Sequence, residues 1–156
     1  MDIKNIRVDS RGIHGQVAVS WIPNLMVNRI IVVDNDILND NVQKNILKMA
    51  KPQNVKLSII SINRFKERLL EKDAYLGESI MVIFTKFSTL YDLIDFSSDL
   101  KEINLANISN QKGYSMIKNT VYLSDEEIQM AEDLQEKGVK FYHQMVVESK
   151  KEYIEF

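Results

Sequence analysis

The sequence of 156 residues contains no cysteine, which excludes disulfides, thiolate metal sites, iron–sulfur clusters and a cysteine nucleophile. Its two histidines leave little material for a histidine-rich metal centre. The 20 basic residues are outnumbered by 22 acidic ones, so the chain lacks the positive surplus that is typical of non-specific nucleic-acid binding. We therefore expect no nucleic-acid partner.

Long apolar runs are also missing. No stretch approaches the roughly 18 apolar residues that cross a bilayer, and the first residues lack the basic-then-apolar order of a secretory signal. The composition, with 45% hydrophobic and 27% charged residues, is that of an ordinary globular protein. We expect a single domain over residues 1–156, located in the cytoplasm.

Short β-branched segments recur along the whole chain and predict β-strands. The strongest are continuous apolar runs, which are typical of strands covered on both faces of a sheet. The predicted strands span residues 3–8, 29–34, 55–61, 79–85, 101–108, 119–123 and 139–147.

Amphipathic segments between these runs predict helices. One covers the stripe Val42, Ile46, Leu47, Met49 and Ala50 and stops near Pro52, and others are centred on residues 65–70 and 90–94. The last helix begins at Ser124, which together with Glu127 forms a capping-box pattern, and it ends at Gly138. The alternation predicts a three-layer, doubly wound α/β fold with a mainly parallel sheet. We expect the side chains of Met26, Met49 and Met116 to fill its core.

Reactive groups in such folds gather outside the carboxyl ends of the strands. The loop after the first predicted strand carries Arg7, Asp9 and Arg11 and then places His14 between two glycines, directly before an apolar helix. Arginine forks bind phosphate oxygens, a helix start attracts anions and glycines allow close backbone approach. Neutral imidazole is a nucleophile that a carboxylate orients. The loop therefore predicts a phosphate site built from Arg7, Asp9, Arg11, Gly12, Ile13, His14, Gly15 and Gln16.

Other interpretations of these residues stay open. A histidine between glycines is often only a turn residue, and Arg7 alternates with apolar neighbours as in a simple strand-edge salt bridge. Thr85 and Lys86 follow the fourth predicted strand and Lys112 follows the fifth, where they either add positive potential near a phosphate or remain solvated. The glycine spacing matches neither a dinucleotide fingerprint nor a P-loop. We expect His143 to be a packed histidine of the last strand.

The segment from Arg7 to Ala18 reads Arg-Val-Asp-Ser-Arg-Gly-Ile-His-Gly-Gln-Val-Ala. It resembles the signature Arg-x-Asp-x-Arg-Leu-Ile-His-Gly-Gln-Val of IIB subunits from the mannose/fructose/sorbose family of the bacterial sugar phosphotransferase system. Weaker similarity extends over nearly the whole chain, at residues 28–33, 82–86 and 121–138. The first motif is specific, whereas the other segments fit many α/β proteins.

The resemblance implies a sheet of about six parallel strands with a short extra antiparallel edge strand. It also implies that His14 takes phosphate at Nδ1 from the phosphohistidine of a IIA protein or domain and passes it to a sugar. Membrane IIC and IID subunits would present that sugar, so the protein would associate peripherally with the membrane. Arg7, Asp9 and Arg11 match charged positions around the family's histidine, and no metal or organic cofactor is implied.

The chain departs from the family pattern at Ser10, Gly12, Ala106 and Asn107, where the family usually has Asp, Leu, Gly and Gly. We expect Gly12 to make the loop more flexible and the bulkier residues 106 and 107 to narrow the approach to His14. A second interpretation therefore stays open, namely a non-catalytic or regulatory IIB-like binding module. Helical faces could also support a homodimer.

Overall fold

Nine strands form two sheets in the computed structural model, which describes residues 1–156. The large sheet has seven strands in the order β3-β2-β4-β1-β5-β8-β9, and a separate two-stranded sheet pairs β6 with β7. The strands are β1 (Asp2–Asp9), β2 (Arg29–Val33), β3 (Lys56–Ile60), β4 (Ser79–Phe84), β5 (Glu102–Asn107), β6 (Ser115–Lys118), β7 (Val121–Leu123), β8 (Lys140–His143) and β9 (Glu152–Ile154).

Six strands of the large sheet run parallel, and the short β9 is the antiparallel edge next to β8. This confirms the predicted mainly parallel sheet with one extra edge strand. The central position of β1, between β4 and β5, explains its nearly complete burial from Asn5 to Asp9. The carboxyl end of β1 therefore opens at the middle of the sheet edge where ligands bind in this class of fold.

Five helical segments connect the strands. Segment α1 combines a π-helical turn (Val17–Trp21) with an α-helical turn (Ile22–Asn24), and α4 combines a 3₁₀ stretch (Phe87–Phe96) with an α-helical turn (Ser97–Leu100). The others are α2 (Asn41–Ala50), α3 (Ile62–Leu70) and α5 (Asp125–Glu136), with a short 3₁₀ turn at Ile37–Asn39.

Two apolar clusters lie on opposite faces of the sheet. The larger one packs α3, α4 and α5 against β1, β4 and β5, and the smaller one packs α1 and α2 against β2 and β4. This arrangement confirms the three-layer, doubly wound fold. It also places α1 and α2, which flank the loop after β1, on the same face of the sheet.

Two predicted strands take a different form in the structure. Residues 121–123 form β7 outside the large sheet, since a tight turn at Asn119 and Thr120, with φ +67° at Thr120, pairs β7 with β6. A single parallel bridge between Val121 and Ile108 links β7 to the end of β5. The last predicted strand ends at His143 instead of continuing to residue 147. The amide of Asn104 binds the backbone N–H and carbonyl of Gln144 and ends the ladder there. His143 itself is buried, as expected, with Nδ1 lying 2.6 Å from the Leu105 carbonyl oxygen.

The prediction that methionines fill the core is wrong at all three positions, because Met26, Met49 and Met116 are exposed. In α2 only Leu47 of the apolar stripe is fully buried, whereas Val42 and Ile46 face solvent with Met49. The helix lies over the border of the sheet near the edge strand β3, and a helix in that position buries only a narrow row of side chains. Packing of the core therefore does not account for the apolar side chains of Val42, Ile46 and Met49.

The capping box at Ser124 generates the first prediction. The Ser124 hydroxyl accepts from the Glu127 N–H at 3.2 Å, and the Glu127 carboxylate accepts from the Ser124 N–H at 3.1 Å. Ser124→Ala should therefore lower the free energy of unfolding by about 1 kcal/mol in chemical denaturation. Ser98→Ala is the control, since the Ser98 side chain is exposed and makes no hydrogen bond. Equal stabilities of the two variants would contradict the assignment.

Candidate functional site

The loop after β1 is closed by a tight turn in which the Gly12 N–H donates to the Asp9 carbonyl at 2.9 Å. Gly12 is buried and has φ +66°, a conformation that favours glycine. A Cβ built there would lie 3.0 Å from Leu47 Cδ2 of α2, so the loop rests directly on that helix. Ile13 is buried in the same apolar cluster as Leu47, which anchors the loop beside His14.

The buried carboxylate of Asp9 is the centre of the site. Its Oδ2 lies 2.9 Å from both Arg7 Nη2 and His14 Nε2, and its Oδ1 accepts from Arg11 Nε at 3.0 Å and from the Arg11 N–H at 3.2 Å. Burial alone would raise the pKa of Asp9. The hydrogen bonds from His14 and Arg11 and the charge of Arg7 outweigh burial and lower that pKa to about 2.

The ionised Asp9 decides which ring nitrogen of His14 carries the proton. A carboxylate only accepts hydrogen bonds, so Nε2 must donate to it. No group of the protein bonds to the Nδ1 atom of His14. In the neutral ring, Nδ1 therefore keeps its lone pair and is the nucleophilic atom.

The three charged side chains around Asp9 differ in their access to solvent. The side chains of His14 and Arg11 are 19% and 41% exposed, whereas that of Arg7 is only 1% exposed. The Arg7 guanidinium lies over the Trp21 ring, 5.1 Å from its centre, and its Nε and Nη1 have no hydrogen-bond partner. Burial lowers the pKa of Arg7. The structure thus places Arg7 behind Asp9, where it supports the carboxylate, and leaves Arg11 as the arginine that is accessible from solvent.

Backbone groups add to the positive character of the loop. The N–H groups from Ile13 to Val17 donate to no acceptor in the protein, and the first bond of the segment runs from the Ala18 N–H to the His14 carbonyl at 3.0 Å. Gly15 and Gln16 form the first helical residues, directly after His14. Unpaired N–H groups at a helix start attract anions, so these groups suit a phosphate held on His14.

Ser10 joins the loop to the end of β5, a contact that sequence reasoning missed. Its N–H donates to the Asn107 carbonyl, and its hydroxyl donates to Asn107 Oδ1, each at 2.9 Å. The Ser10 hydroxyl also lies 3.2 Å from that of Ser109. The side chain of Asn107 is therefore engaged with Ser10. The departure from the family pattern at both positions was the available signal, since paired polar substitutions suggest a contact.

Thr85, Lys86 and Lys112 are not brought to His14. The hydroxyl of Thr85 bonds to Asp34, which also caps the following turn by accepting from the backbone N–H groups of Asp36 and Ile37. Lys86 is ion-paired with Asp36. Thr85 and Lys86 line a neighbouring cleft of about 480 Å³ that includes Ser10 but not His14. Lys112 is exposed and makes no hydrogen bond or ion pair.

The chain resembles known proteins over nearly its whole length. The family model for the sorbose-subfamily IIB component of the phosphotransferase system matches residues 3–155. The chain belongs to this family. It is a IIB component of a sugar phosphotransferase system.

Similar IIB proteins differ in the sugar that they are named for. The fructose-specific EIIB component of Bacillus subtilis is 31% identical over 140 residues, which cover 90% of this chain and 85% of that protein. The mannose-specific EIIAB component of Escherichia coli is 28% identical over 134 residues, which cover 86% of this chain and 41% of that protein. The IIBSor domain of the sorbose permease from Klebsiella pneumoniae has a TM-score of 0.87 and 25% identity over 97% of this chain and 92% of that one.

The structure contains no group of three or more His, Asp or Glu side chains that could hold a metal ion. It also contains no helix that is both long and apolar enough to cross a membrane. The loop combines one ring nitrogen with a free lone pair, one exposed arginine and a run of N–H groups that have no acceptor in the protein.

The lowered pKa of Asp9 generates the second prediction. Its ionisation stabilises the fold by about 2 kcal/mol, since a one-unit shift is worth about 1.4 kcal/mol. This contribution is complete above the unfolded pKa near 3.9 and is lost as the pH falls through the folded pKa of about 2. Urea denaturation of wild type and Asp9→Asn should therefore show a stability difference that shrinks by about 2 kcal/mol between pH 5 and pH 2. A difference that is constant with pH would contradict the assignment.

Proposed function

We propose that His14 is the phosphorylated residue of this IIB component, and that it takes a phosphoryl group from the phosphohistidine of a IIA protein and passes it to a sugar. The observation that carries the proposal is the hydrogen bond between His14 Nε2 and the buried, ionised Asp9. It leaves Nδ1 as the only ring nitrogen with a free lone pair, on a side chain that reaches the surface.

Each transfer exchanges one bond to phosphorus for another. The Nδ1 atom of His14 attacks the phosphorus of the donor, the bond between phosphorus and the donor imidazole breaks, and that imidazole leaves. In the second transfer a sugar hydroxyl oxygen attacks the same phosphorus, its proton is released, and the bond to Nδ1 breaks. Throughout, Asp9 holds the Nε2 proton and balances the positive charge that forms on the phosphorylated ring.

The remaining residues position the reactants and stabilise charge, which are the main demands of phosphoryl transfer. Arg11 uses Nε and Nη2 on Asp9, which leaves Nη1 free for a phosphate oxygen. The backbone N–H groups of residues 13–17, which have no acceptor in the protein, are further candidate donors to that phosphate. Arg7 is a positioning residue, since its single hydrogen bond goes to Asp9 and Trp21 covers it.

The two phosphoryl transfers also define the proteins with which this chain would interact. The phosphate donor is a IIA protein or domain, and the sugar is presented by membrane IIC and IID subunits, with which the protein associates from the cytoplasm. The related proteins are named for fructose, mannose, sorbose and N-acetylgalactosamine. The transfer to His14 is common to any of these sugars, because the sugar enters only at the second step.

Intact-mass analysis tests the proposal directly. The protein is incubated with phosphoenolpyruvate, the general phosphotransferase proteins and a panel of IIA proteins of the mannose/sorbose family. One phosphate should appear on the peptide that contains His14, should survive at alkaline pH and should be lost in acid. His14→Gln should carry none, and the peptide with His143, the only other histidine, should stay unmodified. A chain that binds phosphorylated IIA without taking up phosphate would contradict the proposal and would favour the non-catalytic binding module.

A further inference from the structure

The segment after strand β8 is connected to the candidate site by a chain of buried contacts. Asn104 of β5 is the neighbour of Arg7 in the sheet. Its buried side chain donates to the Gln144 carbonyl at 3.0 Å and accepts from the Gln144 N–H at 3.1 Å. The next carbonyl, that of Met145, accepts from the indole N–H of Trp21 at 3.2 Å. The contacts form a closed circuit, because the Trp21 ring lies over the Arg7 guanidinium.

Arg7 is the member of this circuit with the fewest polar contacts. One hydrogen bond holds its side chain, from Nη2 to Asp9 Oδ2 at 2.9 Å, and its buried Nε and Nη1 have no partner in the protein. Buried polar groups are nearly always paired, so an unpaired one calls for an explanation. Trp21 is 2% exposed, and its ring centre lies 5.1 Å from the guanidinium carbon, within the range of a cation–π contact. The ring, more than hydrogen bonding, therefore sets the direction in which Arg7 presents Nη2 to Asp9.

The conformation of α1 produces this contact. Val17–Trp21 form a π-helical turn, in which the Ile22 N–H donates to the Val17 carbonyl. Such turns are rare and occur frequently at functional sites. The turn contains one residue more than an α-helical turn, which changes the direction in which Trp21 projects. Two contacts then fix the indole, namely Arg7 at its face and the Met145 carbonyl at its N–H.

We infer that Trp21 and Asn104 are positioning residues for phosphoryl transfer at His14. The segment after β8 fixes the indole, the indole fixes the guanidinium of Arg7, and the guanidinium fixes the carboxylate of Asp9 that holds the His14 ring. The inference rests on the proposed function. We call the set of supporting residues the indole clamp, which consists of Asn104, Gln144, Met145 and Trp21.

The indole clamp acts on the proton of the histidine ring. Without the Trp21 ring, the guanidinium is free to change direction and water reaches its unpaired N–H groups. Asp9 Oδ2, which lies 2.9 Å from both Arg7 Nη2 and His14 Nε2, is then held less firmly. Part of the neutral His14 population would carry its proton on Nδ1, where it removes the nucleophilic lone pair. Transfer should slow without a loss of donor affinity, because Trp21 is buried and does not touch the donor.

The first measurement is made on the free protein. Long-range ¹H–¹⁵N NMR, at a pH where the His14 ring is neutral, identifies the protonated nitrogen. In Trp21→Leu the ring ¹⁵N shifts should move toward those of the Nδ1-protonated tautomer, whereas Trp21→Phe, which keeps a ring against Arg7, should resemble wild type. Phe65→Leu is the matched control, since it also shortens a buried aromatic side chain, but in the apolar cluster on the opposite face of the sheet. The control should match wild type.

The second measurement is the rate of transfer to His14 at varied concentrations of a phosphorylated IIA protein, chosen as one that phosphorylates the wild-type chain. Trp21→Leu should lower kcat about tenfold or more with KM within about twofold of wild type, and Trp21→Phe should keep kcat within about threefold. Asn104→Ala, which releases the Gln144 backbone, should lower kcat by a smaller factor with KM again unchanged. Phe65→Leu should leave both constants within about twofold of wild type.

A wild-type kcat and an unchanged tautomer in Trp21→Leu would overturn the inference while the phosphorylation of His14 stands. An equal loss of kcat in Phe65→Leu would attribute the effect to general loosening of the fold, and an equal loss in Trp21→Phe would show that a ring over Arg7 is not what acts. Either result would overturn the inference. If no IIA protein phosphorylates wild type, the proposed function fails and the role in transfer fails with it, even where NMR shows that the ring sets the tautomer.

Discussion

The site depends on one buried carboxylate, that of Asp9. Three cationic or proton-donating side chains converge on its two oxygens, and without it Arg7 would be an unpaired charge at the centre of the sheet. Burial of an ion is costly unless it is paired and hydrogen-bonded. The same bonds that make this burial tolerable also fix the tautomer and orientation of His14, so stability and reactivity have a common origin here.

The fold supplies what this arrangement needs. The parallel sheet puts β1 in the middle, so its carboxyl end opens between neighbouring strands and not at a solvated edge. Gly12 allows the chain to turn so that His14 reaches Asp9, and the Leu47 side chain packs against this turn. The π-helical turn carries Trp21 onto Arg7, and its indole N–H is held by the Met145 carbonyl at 3.2 Å. Strand β1 thus holds Asp9, the turn at Gly12 positions His14, and the π-helical turn covers Arg7.

Much of the fold was predictable from the sequence because it depends on local pattern. The continuous apolar runs gave the parallel strands, and Ser124 with Glu127 gave the capping box of α5. Within the site, the charged residues of the β1 loop were identifiable as a group. The different roles of Arg7 and Arg11 were not predictable, because the burial of Arg7 depends on Trp21 and on strands that are distant in sequence.

The wrong predictions also concern contacts between residues that are distant in sequence. Met26, Met49 and Met116 are apolar, but whether an apolar residue is buried depends on where its element packs, which periodicity does not show. Lys86 and Thr85 follow a strand that ends at the correct edge of the sheet, yet Asp34 and Asp36 engage them. In both cases a tertiary neighbour decided the outcome.

The central claim is that Asp9 holds the proton on Nε2 so that Nδ1 accepts the phosphate. Long-range ¹H–¹⁵N NMR of the histidine rings, recorded before and after phosphorylation, tests it most directly. In the free protein the neutral ring of His14 should be protonated at Nε2, and in the phosphorylated protein the phosphorus should be coupled to Nδ1. A free ring protonated at Nδ1, or a phosphate on Nε2, would contradict it.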